Sequence, residues 1–278
     1  MAVTQGAITE KKASPMIDET SAAMLDNPIW SALTTEHAAL ALGGNKARRY
    51  PEEIGPLSGM PEQTNEGYDA LAALVSAGDI AVLFLCEPPR VPAGWTLVRG
   101  GELVQMVALQ PKMVPCAARD GVEVRELAAG DAPAMVELAK LTEPGPFRLR
   151  TMELGTFFGI FDAGRLLAMA GKRTQVPGFV EVSGVCTHPD ARGRGYARLL
   201  MSWVMEEIVG EGKTPFLHAF GDNYGAIRVY EALGFQLRRT FELAAVKRQG
   251  AANRQQGTGP LKPAADLSGA PGQSRVSF

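Results

Sequence analysis

Hydrophobic positions along this chain alternate between a period near two and a period near 3.6, and each change of period predicts an element. From Pro28 to Leu42, Ile29, Leu33, Leu40 and the alanines fall at helical spacing and stop at Gly43-Gly44. A loop rich in Pro and Gly runs from Tyr50 to Pro61, and Tyr68 to Ser76 then reads as a helix with Leu71, Leu74 and Val75 on one side. Ile80 to Cys86 is an unbroken apolar run of the buried-strand kind, ended by Pro88-Pro89 and Pro92. Two short strands are expected next, Thr96 to Val98 and Leu103 to Leu109.

Pro111 to Gly121 holds two prolines and an Arg-Asp-Gly turn, and a domain boundary is placed there. Beyond it the pattern is more regular. Val122 to Leu127 predicts a strand, and Asp131 can cap a helix carrying Met135, Leu138 and Leu141. Thr142 to Phe147 is a loop, and Arg148 to Leu154 a short helix. Thr156 to Phe161 and Leu166 to Thr174 form strands joined at Asp162-Ala163-Gly164. Phe179 to Thr187 is a further strand, and Ala197, Leu200, Met201, Val204 and Ile208 make a helical stripe closed by Gly210 and Gly212. A strand from Phe216 to Phe220, a helix from Asp222 or Asn223 to Leu233, and a strand pair from Phe235 to Val246 complete the pattern. Four segments result: a flexible tail over 1–20, an N-terminal α/β domain over 21–110, a second domain over 122–248, and a disordered tail over 249–278 that has too little apolar surface to offset ordering entropy.

Composition changes this picture little. The 278 residues are 46% hydrophobic and 21% charged with a net charge of −2, which suits a globular protein and argues against nucleic acid or an anionic membrane surface as partner. No apolar run is long enough to span a bilayer. The three cysteines (Cys86, Cys116, Cys186) have no metal-ligand spacing, no metal site is expected, and their odd, low count fits a reducing cytoplasm. With no secretory pattern near Lys11-Lys12, a cytoplasmic location is expected.

Chemistry concentrates between Glu181 and Tyr196. There a strand is stopped by His188-Pro189-Asp190, followed by Arg192-Gly193-Arg194-Gly195, and a helix starts at Tyr196. Strand, glycine-rich turn and helix start together aim unpaired backbone N–H groups and the positive end of a helix dipole at one spot, which binds phosphate.

Two motifs in order resemble those of the GNAT superfamily of acetyl-CoA-dependent N-acetyltransferases, over roughly residues 122–248, with FR47-like members as the near group. One is the pyrophosphate loop Gln/Arg-x-x-Gly-x-Gly/Ala, standing here as Arg192 to Ala197; the other is Asn-x-x-Ala-(x)3-Tyr-(x)3-Gly-Phe, matched by Asn223, Ala226, Tyr230, Gly234 and Phe235. The resemblance implies an α+β fold: a central, mixed, mostly antiparallel sheet flanked by helices. It implies acetyl-CoA as cosubstrate, held by Val185, Cys186, Thr187, Arg192, Gly193, Arg194, Gly195, Tyr196, Ala197, Asn223, Ala226 and Tyr230.

It also implies transfer to a primary amine by direct attack in a ternary complex. Tyr230 would be the general acid, with a packing tyrosine as the bland alternative. Glu181 would be a base, or else a solvated strand glutamate. By the same resemblance the Val185 amide would polarise the thioester carbonyl, and Ser183-Gly184 could host the bulge that opens an acyl slot. Cys186 is expected to pack, and His218 to pack or line substrate. For the acceptor, a small molecule or a protein amine, Glu143, Phe147 and Glu153 are the candidate residues. The N-terminal half, read as a degenerate GNAT-like unit, is expected to pack on the catalytic domain, shape the acceptor pocket or build a homodimer. A CoA-binding sensor or scaffold without transferase activity is the alternative function.

Overall fold

The computed structural model describes residues 17–113 and 121–250. The calls on residues 1–16, on Cys116 and on 251–278 lie outside them. Helix α1 (Glu19–Asp26) already begins within the stretch expected to be a tail, because the Asp18 carboxylate caps it by accepting from the Ser21 amide at 3.0 Å. Pro28 restarts the chain as α2 (Pro28–Thr34), proline being suited to a first helical turn. The helix expected over 28–42 therefore stops early, and Ala38–Leu40 is a separate 3-10 turn. Strands β1 (Leu42–Gly43), β2 (Arg48–Arg49) and β3 (Ser58–Gly59) make a small antiparallel sheet. Next come α3 (Asn65–Ala72), β4 (Ile80–Leu85) and β5 (Trp95–Val107).

The second half contributes β6 (Glu123–Glu126), α4 (Ala132–Thr142), β7 (Phe157–Asp162), β8 (Arg165–Val176), β9 (Phe179–Thr187), α5 (Tyr196–Gly210), β10 (Thr214–Phe220), α6 (Tyr224–Ala232) and β11 (Gln236–Arg248). One eight-stranded sheet runs β4-β11-β5-β10-β9-β8-β7-β6. Its neighbours are antiparallel except β9 and β10. The mixed, mostly antiparallel sheet flanked by helices is thus present.

Residues 111–121 do not mark a break in that sheet. Strand β5 lies between β10 and β11, and β4 pairs with β11, so strands of both halves share one hydrogen-bonded ladder. Val104 and Met106 also sit in the same apolar cluster as Leu200 and Leu217. The two short strands expected over 96–109 are one, because Gly100 and Gly101 keep their ladder places opposite Ala244 and Leu243. Likewise the strand pair expected over 235–246 is the single strand β11, with no Gly or Pro inside it to turn the chain.

Alternation along β9 sorts the two faces. Val180 and Val182 join the core under α5, whose Leu200, Met201, Val204, Met205 and Ile208 are fully buried. Burying each such side chain contributes roughly 1.5–3 kcal/mol. Glu181 points to the opposite face, as the period of two requires. That face carries a second cluster in which α4 places Met135, Leu138 and Ala139 against Phe147, Phe157, Met169 and Cys186.

Candidate active site

The site begins where two parallel strands part. Strands β9 and β10 pair only from Phe179 to Glu181 against Thr214 to Phe216. Further along, Val185 and Phe220 stand on the walls of an open cavity of about 950 Å³. The bulge expected at Ser183-Gly184 lies at this divergence. Met169 faces Cys186 and Gly171 faces Ser183, so one β8 residue opposes both Gly184 and Val185. Gly184 has φ +62°, and a Cβ there would stand 2.8 Å from the Phe157 ring. Only glycine fits both constraints.

After β9, the His188 ring accepts from the Asp190 amide at 3.2 Å and starts a single 3-10 turn. Gly193 (φ +73°) and Gly195 (φ +80°) then take left-handed conformations with open space around them, and Arg194 donates back to the Asp190 carbonyl at 3.1 Å. Gly195 caps α5 without a side chain, and the first amide to bond back is Leu199 N, 3.1 Å from Gly195 O. The amides of Tyr196, Ala197 and Arg198 therefore have no intrahelical acceptor, and the dipole adds positive potential there.

Arg192 lines the cavity, as does Asn223, whose Oδ1 caps α6 by accepting from Ala226 N at 3.3 Å. The Tyr196 side chain turns away into the core. Cys186 is buried among apolar side chains and its thiol is pushed up to about 12 by burial, which suits packing. The buried Thr187 Oγ1 has no partner among the described residues.

Tyr230 stands two turns along α6 from Asn223, half-buried against the main core, with its ring edge-on to Phe235 at 6.3 Å between centroids. Burial raises its phenol to about 12, so the hydroxyl keeps its proton at neutral pH. Its side chain does not line the 950 Å³ cavity.

Glu181 is not where a base would stand. It is fully buried, and Arg173 grips both its oxygens at 2.8 and 3.1 Å. His218 Nδ1 lies 2.8 Å from Oε1, and the Thr174 amide donates to Oε2 at 3.2 Å. Burial alone would raise the Glu181 pKa, but Arg173 and His218 outweigh it and hold the carboxyl well below its usual range. His218 in turn meets Gln105 Nε2 at 3.1 Å, and the Gln105 carbonyl accepts from Arg238 at 2.8 Å. His218 is thus a link in a polar chain joining β9, β10, β5 and β11, not a substrate-lining group.

Of the acceptor candidates, Glu143 lines the large cavity and, with Phe147, a smaller pocket of about 70 Å³ beside it. Glu153 does neither and is held by Arg150 at 2.6 and 2.8 Å. Sequence reasoning missed Arg99, Gly100, Gly101 and Glu102, which form the β5 wall of the large cavity. A glycine pair inside a strand, flanked by opposite charges, was the available signal.

Comparisons with known proteins agree with this geometry. A family model described as FR47-like protein matches residues 157–243. A GNAT-family protein from Novosphingobium aromaticivorans is 35% identical over 81% of this chain and 99% of its own, with a TM-score of 0.73. The chain belongs to the GNAT family. As such it is an acyltransferase. A GCN5-related N-acetyltransferase from Kribbella flavida, 18% identical over 80% of this chain and 96% of its own, shares the fold at a TM-score of 0.52. So does a protein from Drosophila, 19% identical over 73% of each chain, also at 0.52. No curated protein matches. In this GNAT chain no described helix is long and apolar enough to cross a membrane, and no described His, Cys, Asp and Glu cluster could hold a metal ion.

Proposed function

We propose that this GNAT protein moves the acetyl group of acetyl-CoA to a primary amine by direct attack in a ternary complex, in the cytoplasm. The carrying observation is the parting of β9 and β10 onto a cavity that Arg192 and Asn223 line, with the uncapped start of α5 following Arg192 in the chain. The open amides of Tyr196, Ala197 and Arg198, with Arg192 and Arg194, suit a pyrophosphate. The donor's thioester would run toward the bulge at Gly184, where the Val185 amide is the candidate donor to its carbonyl oxygen.

A neutral amine attacks that carbonyl carbon; the C–N bond forms and the C–S bond breaks. Tyr230 donates its proton to the departing sulfur, and the proton lost by nitrogen returns through water to the phenolate. The products are an amide and the CoA thiol, with atoms and charge conserved. Glu181 has no free lone pair facing the amine in this scheme; it anchors the splayed strands.

Calorimetric titration with CoA and acetyl-CoA tests the core of this assignment, and absence of binding would overturn it. Tyr230 lying off the cavity lining favours one other function, a CoA sensor without transfer. Thiol release from acetyl-CoA that stays unchanged across a panel of added amines would decide for the sensor.

A further inference from the structure

Resting on that acetyltransferase assignment, we propose that Phe147, backed by Phe157, restricts the acyl donor to a short chain. The two rings wall the thioester site at the Gly184 bulge. What decides the limit is the bare side of Gly184. A Cβ there would lie 2.8 Å from Phe157 Cε1 and 3.6 Å from Phe147 Cε2. A Cβ on Gly171, the β8 residue opposite Ser183, would overlap the same Phe157 ring. Glycines on two neighbouring strands thus make room for one aromatic side chain, and that side chain fills the room. Phe147 closes the wall from the loop after α4, its ring edge-on to Phe157 at 5.6 Å between centroids. Both rings are buried. Between the loop 144–147 and Ser183-Gly184 there is no space for a water molecule.

An acyl group whose carbonyl oxygen meets the Val185 amide brings its next carbon up to this wall, and an acetyl group ends there. Each further methylene has to move a ring inside a close-packed core. One methylene too many against such a wall changes selectivity by roughly 10–200-fold. Behind Phe147 the situation is reversed. The same residue lines the apolar pocket of about 70 Å³, together with Val82 of β4, Phe220 of β10 and Leu243 of β11. At ~10–15 Å³ per water-sized sphere, that pocket holds roughly five heavy atoms, as many as a hexanoyl group carries beyond its carbonyl. Phe147 therefore stands between a filled bulge and an empty apolar well, and its ring is the partition.

The test titrates CoA, acetyl-CoA, butyryl-CoA and hexanoyl-CoA into the protein by calorimetry, with no amine present. In the parent, butyryl-CoA should bind at least about tenfold more weakly than acetyl-CoA, and hexanoyl-CoA more weakly still. Phe147→Ala should bring hexanoyl-CoA level with acetyl-CoA while the affinity for CoA itself stays unchanged. Phe147→Leu and Phe157→Leu, which keep more of the core filled, should move the ratios part of the way. Circular dichroism and thermal unfolding check that each variant is folded, and if Phe147→Ala does not fold, the two leucine variants decide by the same ratios. A parent protein that binds the three thioesters equally would overturn the proposal while the CoA site stands. So would a folded Phe147→Ala that leaves the ratios unchanged, as a side chain facing only the acceptor would. Equal weakening of CoA and all three thioesters would reduce Phe147 to a packing residue and overturn it too. If the parent binds neither CoA nor acetyl-CoA, it is the acetyltransferase assignment that falls.

Discussion

Glu181→Gln separates an anchor from a base. The substitution keeps the side chain's size and removes its charge. It leaves the Arg173 guanidinium, whose side chain is 9% exposed, without a counter-charge. Removing one partner of a buried pair costs about 3–5 kcal/mol, because the remaining ion has no solvent to replace it. Against a total stability of about 5–15 kcal/mol that is a large share. At a urea slope of about 3 kcal/mol/M, it lowers the unfolding midpoint by about 1–1.7 M. The double variant Arg173→Gln/Glu181→Gln should recover part of the loss, since no buried charge is then left alone. The acid side follows the same logic. Glu181 has a depressed folded pKa, so its stabilisation is fully present above the unfolded value of 4.5 and is lost as pH falls toward the folded one. The assay is urea unfolding of the variants, with turnover measured on the same preparations. A Glu181→Gln protein with an unchanged midpoint and turnover reduced about 10²–10⁴-fold would refute the anchor role and restore the base.

Tyr230→Phe should lower kcat by about 10²-fold or more with CoA affinity nearly unchanged, measured by thiol release and calorimetry; equal turnover would remove Tyr230 from the acid role. Gly195→Val places a β-branched residue at φ +80° in the turn before α5, and CoA binding should weaken at least about tenfold. Unaltered affinity by calorimetry would mean that this turn does not hold the pyrophosphate. His37, 2.7 Å from the Tyr50 hydroxyl, has its pKa lowered to about 4, by burial first and then by Lys213. The unfolded chain binds that proton near 6.5, so stability should fall as pH drops from 6.5 toward 4, by up to about 3 kcal/mol, with no contribution above 6.5. His37→Gln should flatten this segment of the stability curve, and a slope identical to the parent's would contradict the assignment.

What was legible in the chain is what is decided locally. The left-handed glycines at 193 and 195, the Asn223 cap and the Gly184 bulge each follow from a backbone need that neighbouring residues reveal. The partner of Glu181 is a different matter. Arg173 lies only eight residues back, but the two meet because irregular pairing between β8 and β9 sets Lys172 opposite Val182 and Gln175 opposite Val180. Without that register Glu181 is a carboxylate among valines, and a catalytic or solvated role is equally consistent with its surroundings. Charge alone could not find a counter-ion fixed by a bulge.

The β5 wall was hidden by a longer-range fact. Gly100 and Gly101 look like a break between two short strands, and the prolines after 110 look like a domain end. Insertion of β5 between β10 and β11 reverses both inferences. Glycines opposite Leu243 and Ala244 bare the strand where the cavity opens, while Arg99 and Glu102 beside them supply opposite charges. The same insertion joins Gln105 to His218, and so ties the Arg173–Glu181 pair of the second half to Arg238 and Asp26. A residue on the N-terminal strand can therefore reach the site in two ways: by facing the cavity, as Arg99 does, or by holding the polar chain beneath it, as Gln105 does. The first places a side chain on the cavity wall; the second links β5 through His218 to Glu181, where β9 and β10 part.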